Sequence, residues 1–533
     1  MSDFALSALD LVIIVVAITG IVGVGLWASS RVQTTMRGYF LAAGRMPWWL
    51  IGAAFVSTSV SSEQIVGTVA RAYENGMGVA NWEWFALPVY SLVIVFFIPL
   101  YLKNRIMTVP EFLSRRFGTL CGDIYSWVML VAYVFVFMVP TLYGGSLVLH
   151  ELTGWNFYLV LWATAAIVGA YTIKGGLGAI MWTDAVQCLM LVGGGVLLFF
   201  VSLNKIPGGW SAMRAASPER FHLYRPPDDP LAPFPALICA TFGVFLFYQA
   251  TNQVMIQRVL AARSTWDGVM GIIFAGFINL LRPLVTCFLG LIVYHWIHEL
   301  HRAEPLGNLD QAFPFALRTF APGWGLRGIV LVGFLAAVMS TISALTNAAA
   351  TIFSLDVYKR MLNPAATERR VVMTGRLAAA CALIAACLVA PLVEHLGGVF
   401  RYFQTGITYV ATPFISVILL GIIWGRTNFQ GAVFGLIGGI IIQVILGLGL
   451  AAAAVRLHWL YVAFIAQVLT MSGVVAVSLG SRPPPETSWE PFHWSPALLS
   501  RYDEGRVRPW YQRLKLWFGL YALIWLYVYW RFW

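Results

Sequence analysis

Fourteen stretches of this chain are apolar over roughly the 20 residues that a helix needs to cross ~30 Å of hydrocarbon. They run 9–29, 47–72, 80–101, 124–149, 156–172, 178–203, 234–260, 267–298, 326–355, 371–396, 402–424, 428–454, 457–480 and 513–531. Of the 533 residues, 59% are hydrophobic and 11% charged, which excludes a soluble globular protein. A membrane-spanning barrel would show short alternating segments instead. The expected fold class is therefore an all-α polytopic membrane protein with about 14 transmembrane helices.

The net charge of +11 would suggest a nucleic-acid partner in a soluble domain, but here its distribution reads as topology. With an external N-terminus, the short cytoplasmic loops hold Arg31, Arg37, Arg45, Lys103, Arg105, Arg115, Arg116, Lys174, Arg258, Arg263, Lys359, Arg360, Arg369, Arg370 and Arg426. The short external loops hold Arg71, Arg401 and Arg456, as the positive-inside rule requires. An even number of spans puts both termini outside. The expectation is a multi-pass plasma-membrane protein, in a bacterial inner membrane, with the lipid bilayer as partner and no nucleic acid. The six cysteines lack metal-ligand spacing and read as small buried hydrophobes. The first span has no cationic leader or cleavage signature and reads as a retained helix.

No soluble segment is large enough for independent chemistry, so function is expected between helices. Transporters place their sites near the midplane, on helices interrupted by polar residues at matching places in two oppositely oriented halves. Span 2 carries STSVSSEQ at 57–64 and span 7 carries FLFYQATNQ at 245–253. An offset of five spans reverses orientation, so repeats of five would be inverted. The expected organisation is a peripheral first helix and cytoplasmic loop (1–46), a first inverted repeat (47–203), an external loop (204–233) and a second inverted repeat (234–424). Peripheral helices (425–480), a proline-bearing cytoplasmic linker (481–512) and a last transmembrane helix (513–533) follow.

Ionisable residues at membrane depth cost about 2.5–3.5 kcal/mol each on insertion scales. Four stand out: Glu63, Glu83, Asp184 and Arg282. Each is either a structural pair between helices or part of a site. In span 9, Ala337, Ser340 and Thr341 follow i, i+3, i+4 and share one helix face. Two hydroxyls with nearby carbonyls suit a monovalent cation; the same face also suits helix-to-helix hydrogen bonding. A cage needs freed carbonyls from a second helix, and the hydroxyl-rich STSVSSEQ is where one would unwind. The aromatic NWEWF at 81–85 reads as a vestibule lining or an interfacial anchor, and YVYWRFW at the C-terminus as an anchor.

Several motifs together resemble the sodium:solute symporter family and its sodium/glucose cotransporter branch. They are GYFLAAGRMPWW (38–49), TVPEFLSRRFG (108–118), GGLGAIMWTDAVQ (175–187), NQVMIQRVLAARS (252–264), STISALTNAAATIFSLDVYKR (340–360) and GRTNFQGAVFGLIGGI (425–440). The resemblance implies a LeuT-like core of two inverted five-helix repeats, spans 2–6 and 7–11, and sodium-coupled uptake by alternating access. It puts the sodium ion on the carbonyls of Ser57, Val60 and Ala337 and the hydroxyls of Ser340 and Thr341, with Asp184 nearby. For substrate it implies Gln64, Glu83 and Gln404, with Ser61 beside them and Tyr248 as a stacking gate. Amides and a carboxylate supply the donors and acceptors that a polyol needs.

Where galactose-carrying members place an asparagine and a lysine, this chain has Phe245 and Asn279, so galactose is not the expected solute. The implied function is sodium-coupled import of a small hydroxylated solute, a sugar or polyol. The alternatives are sodium- or proton-coupled uptake of a carboxylate, amino acid or nucleoside, with Glu63 or Asp184 as proton carriers, or a solute-binding membrane sensor. Arg282 reads either as a carboxylate ligand or as a structural partner. No nucleophile and base stand at reactive spacing, so an enzyme is not expected.

Overall fold

The computed structural model describes residues 6–31, 35–396, 399–502 and 505–533, and among them the regular structure is all helix apart from one isolated bridge, Met46 to Ala262. Ten helices are long and apolar enough to span a bilayer unaided. The longest, Phe157–Asn204, is two spans, because Gly176 at φ 56°, ψ −155° breaks it. Phe234–Phe242 and Val244–Thr251 form one more, bent by 48°. Trp48–Ser59 with Ser62–Asn75, and Leu514–Phe532, bring the total to the fourteen read from the sequence.

We number the spans in chain order. α1 is Ala8–Ser29. α2 comprises α2a (Trp48–Ser59) and α2b (Ser62–Asn75). α3 is Met77–Lys103 and α4 is Thr119–Thr153, while α5 and α6 are 157–175 and 177–204. α7 runs from Phe234 to Leu260 in three pieces and α8 is Thr265–Glu299. α9 is Leu326–Leu362, α10 is Glu368–Val393 and α11 is Val399–Ile423. α12 is Phe429–Ala452, α13 is Trp459–Leu479 and α14 is Leu514–Phe532.

The first spans of the two five-helix repeats are both broken. α2 unwinds at Val60 (φ −111°, ψ 116°) and Ser61 (φ −118°, ψ 176°). α7 unwinds at Gly243 and again at Asn252 (φ −84°, ψ 122°). Side chains rescue the freed backbone groups, as they must where no water reaches. Ser59 Oγ donates to the Val56 carbonyl at 2.8 Å, and Asn252 Oδ1 caps the Val254 N–H at 3.0 Å while accepting from Tyr133 OH at 2.8 Å. Burial separates core from periphery. Of its most apolar stretch, α9 buries 94%, whereas α1 and α12 bury 22% each. The hydroxyls of α9 therefore face protein, not lipid.

Helices gain nothing from apolar burial against equally apolar lipid, so small residues set how closely they pack. α2a and α8 cross at Gly52 and Gly271, where a Cβ on Gly52 would fall 2.6 Å from the Gly271 carbonyl oxygen. The segment 486–502 is docked. A π-turn at Val93–Phe97 frees carbonyls of α3, and Tyr502 OH reaches Ile94 O at 2.7 Å while Trp494 Nε1 reaches Val95 O at 2.8 Å. The Trp494 N–H also donates to Ile422 O of α11 at 2.9 Å.

The α5–α6 break tests this packing directly. A Cβ on Gly176 would lie 2.3 Å from Tyr39 O, at a φ that side chains avoid. Gly176→Ala is expected to cost at least the ~1–3 kcal/mol of such backbone strain, seen as a lower thermal midpoint in detergent, while Gly193→Ala, with nothing within 4 Å, leaves the midpoint unchanged.

Candidate functional site

The break in α2 faces α9, and a buried ion pair fastens the two together. Thr341 Oγ1 lies 3.1 Å from Val60 O and 3.4 Å from Thr58 O. Ser340 Oγ donates to Asp184 Oδ1 at 2.6 Å, and Thr58 Oγ1 to Asp184 Oδ2 at 3.3 Å. Arg258 Nη2 pairs with the same Oδ2 at 2.9 Å, donates through Nε to Ala54 O at 3.2 Å and through Nη1 to Val254 O at 2.5 Å. Ser57, Val60, Asp184, Ala337 and Ser340 are all at most 1% exposed, and Thr341 5%. Ala337 sits one turn before Thr341 on the same face.

This arrangement satisfies the chemistry of a small hard cation. The Asp184–Arg258 pair leaves no net charge, so the oxygens gathered at the break amount to a neutral set. With its proton committed to Asp184, Ser340 Oγ keeps its lone pairs available. Ser57 Oγ is buried without a hydrogen-bond partner among the described residues, and Ser57 O accepts only a long 3.4 Å bond from Val60 N–H. Asp184 and Arg258 lie on α6 and α7, so one ion pair joins four helices at the break.

Arg258 corrects the sequence reading, which counts it among loop charges. It is 1% exposed inside the third piece of α7; Arg116, in the short helix Val109–Phe117, is 1% exposed as well and donates to Gly421 O at 3.1 Å. A basic residue at the end of an apolar run is indistinguishable from a topological charge until its partner is known. Arg71, placed in an external loop by the same reading, belongs to α2b and lines the cavity described next.

Immediately beyond the break, toward the face where α1 begins, lies a cavity of about 160 Å³. Ser61, Gln64, Glu83, Phe245, Tyr248, Asn279 and Arg282 all line it. Arg282 is its hub. Its Nε pairs with Glu83 Oε2 at 2.6 Å, Nη2 donates to Gln64 Oε1 at 2.9 Å, and Nη1 donates to Asn279 Oδ1 at 2.9 Å and Ser59 Oγ at 3.3 Å. Asn279 Nδ2 contacts Tyr90 OH at 2.6 Å. The pairing alternative for Arg282 is the one found, although within the cavity wall. The Gln404 and Glu63 side chains lie outside the described residues; α11 contributes Ile407 to the cavity.

Aromatics form the cavity mouth, where Trp82 stacks on Trp459 at 5.9 Å and meets Phe245 edge-on at 5.4 Å. Beneath Tyr248, α4 is fastened to α7: Tyr133 OH donates to Asn252 Oδ1 at 2.8 Å, and Tyr125 OH to Thr251 O at 2.6 Å. Two residues of α14 brace the wall. Tyr529 OH donates to Asn81 Oδ1 at 2.7 Å and Trp525 Nε1 to Trp84 O at 2.5 Å, bracketing Glu83. In the C-terminal aromatic cluster, Trp530 is 76% exposed but Tyr529 only 6%, so that cluster is part anchor and part brace. Helical phase separates the two residues, but nothing in sequence names Asn81 as the partner.

The sodium:solute symporter family profile matches residues 39–439. A sodium/glucose cotransporter of Vibrio parahaemolyticus is 32% identical over 462 residues, covering 82% of this chain and 85% of its own length. Sodium/myo-inositol cotransporter 2 of Bos taurus is 28% identical over 547 residues, covering 93% and 80%. Among solved structures, a chain described as the substrate-bound outward-open state of a Na+-coupled sialic acid symporter matches with a TM-score of 0.80. It is 22% identical, and the match covers 90% of this chain and 98% of that one; it bears on the fold alone, which is LeuT-like.

The Glu83–Arg282 pair is 2% and 8% exposed, so removing one partner strands a charge. Arg282→Gln is expected to cost about 3–5 kcal/mol, read by chemical or thermal unfolding in detergent. The double variant Glu83→Gln/Arg282→Gln is expected to recover most of that loss.

Proposed function

This chain belongs to the sodium:solute symporter family, and from that premise we propose that it imports a small neutral hydroxylated solute, a sugar or polyol, together with sodium by alternating access. Sodium is the coupling ion, and the chain is a transporter, not an enzyme. The observation that carries the solute class is the charge balance of the cavity wall. Every nitrogen of Arg282 that could grip a carboxylate is engaged by Glu83, Gln64, Asn279 or Ser59. Around that guanidinium the wall offers amide and phenol groups and a charge-balanced Glu83–Arg282 pair beside the rings of Phe245 and Tyr248, while Arg71 stands at the outer end with Glu74 and Asp310 nearby. Hydroxyls bond such groups as donors and acceptors, and sugar C–H faces stack on rings. The names of the glucose and myo-inositol relatives support the same class.

The break in α2 supplies coupling. In this reading Ser57, Val60, Ala337, Ser340 and Thr341 hold the sodium ion, and Asp184 orients the hydroxyls. Gln64 stands in the first turn of α2b, four residues after Val60. Tying the Val60 carbonyl to α9 therefore fixes the direction of α2b and aims Gln64 at the cavity. A cation that stabilises this arrangement raises solute affinity, and by linkage the solute raises cation affinity equally. The cavity reaches Arg71 and Trp459 on the N-terminal face, while the Tyr133–Asn252 contact closes the other. With the N-terminus outside, that is an outward-facing conformation, and import requires the lower contacts to part as the aromatic mouth closes.

Sodium-gradient-driven accumulation in proteoliposomes tests both halves. Labelled sugars and polyols are expected to accumulate, with carboxylates and amino acids excluded; the reverse ranking refutes the solute class. Ser340→Ala and Thr341→Ala are expected to raise the sodium concentration for half-maximal uptake, and unchanged dependence in both removes this site from the mechanism. Gln64→Ala removes one hydrogen bond worth about 0.5–1.5 kcal/mol, so KM should rise roughly 2- to 12-fold. Tyr529→Phe, which removes only the bond to Asn81 Oδ1, is expected to raise solute KM while sodium dependence stays unchanged.

A further inference from the structure

A second cavity lies between α5 and α10, with a lining that shares no residue with the first. α5 and α10 diverge to leave a groove of about 600 Å³, lined by Ala165, Ala166, Gly169 and Ala170 on one side and Ala380 and Leu383 on the other. Helix rise carries it about 18 Å from Trp162 to Lys174, close to the depth of one bilayer leaflet, about half of ~30 Å. Ala166 and Ala170 are exposed, so the groove opens sideways into lipid.

Its polar end is cationic. Lys174 and Arg376 both line it, and Arg376 Nη2 donates to the Lys174 backbone carbonyl at 3.3 Å, which holds the guanidinium against that end of α5. The Arg376 guanidinium rests 5.6 Å from the Tyr39 ring, and its Nε is buried without a hydrogen-bond partner. Neither residue forms an ion pair with a carboxylate among the described residues. Lys174 stands two residues before the α5–α6 break, at the junction of two spans, where a bilayer would place its headgroups. Two unpaired cations at the end of a leaflet-deep apolar slot match one kind of molecule, whose anionic phosphate is joined to an alkyl chain.

We propose that this groove is a binding site for an anionic phospholipid, with the phosphate on Lys174 and Arg376 and an acyl chain along the small-residue face between α5 and α10. Those helices belong to opposite repeats, so the lipid fills the seam between them. Charge gives selectivity over zwitterionic lipid, worth about 1 kcal/mol per basic residue near an anionic surface. Small side chains give the slot its depth.

Native mass spectrometry of the full-length protein tests this, with dioleoyl phosphatidylglycerol or dioleoyl phosphatidylcholine added to the detergent-solubilised sample. One phosphatidylglycerol is expected to be retained at collision energies that strip phosphatidylcholine. Lys174→Gln, at an exposed position, and Lys174→Gln/Arg376→Gln should lower that retention stepwise, by roughly 5-fold per charge removed. Ala166→Phe, also exposed and filling the slot, should lower it without touching either charge. Equal retention of the two lipids, or full retention in Lys174→Gln and Ala166→Phe, overturns the proposal. The readout is independent of transport, so it stands or falls separately from the solute assignment.

Discussion

The Asp184–Arg258 ion pair is the contact on which the rest of the molecule depends. A helix interrupted in the middle of a membrane exposes backbone groups that no water can satisfy. This pair and its hydroxyl neighbours take over that task. Arg258 reaches the carbonyls of Ala54 and Val254 as well as Asp184, and Asp184 receives Thr58 and Ser340. Two charges that would each be costly alone become a neutral junction of α2, α6, α7 and α9. Buried pairs of this kind add little net stability against an apolar replacement; here the pair fixes where α2 opens and which oxygens face α9.

From that junction the organisation of the cavity follows. α2b starts at the break, so its direction is set by Val60 and Thr341, and Gln64 follows from its direction. Glu83 approaches from α3, held by Asn81 and Trp84 against α14, while Arg282 and Asn279 come from α8. Three separately braced elements meet at one guanidinium. Movement of α2b would disturb the Gln64–Arg282 bond first, so Arg282 is where a change at the break reaches the cavity wall. The α14 brace explains how a helix outside the two repeats bears on the cavity.

The spans were legible in the sequence because lipid demands long apolar runs, and the break was legible because STSVSSEQ puts hydroxyls where such a run should continue. Ala337, Ser340 and Thr341 could be assigned to one face by spacing alone. Arg258 could not, since nothing local separates a buried guanidinium from a loop charge once it stands at the end of an apolar segment. Arg282 was visible as an intramembrane charge, but its fourfold partnership arises from residues up to 223 positions apart. Tyr529 looked like every other interfacial aromatic around it. The docking of 486–502 was equally hidden, because its prolines and mixed charges are those of a solvated connection, and the α3 carbonyls it meets are freed by a π-turn that composition does not announce.

The central claim is that sodium is bound where the unwound turn of α2 meets Ser340 and Thr341. Hydrogen exchange at the backbone amides of residues 57–62 reads that turn directly, compared between sodium and choline at equal ionic strength. Sodium is expected to slow exchange there in the unaltered protein and to leave it unchanged in Thr341→Ala. Identical exchange in the two salts, or sodium protection that survives in Thr341→Ala, would contradict the account.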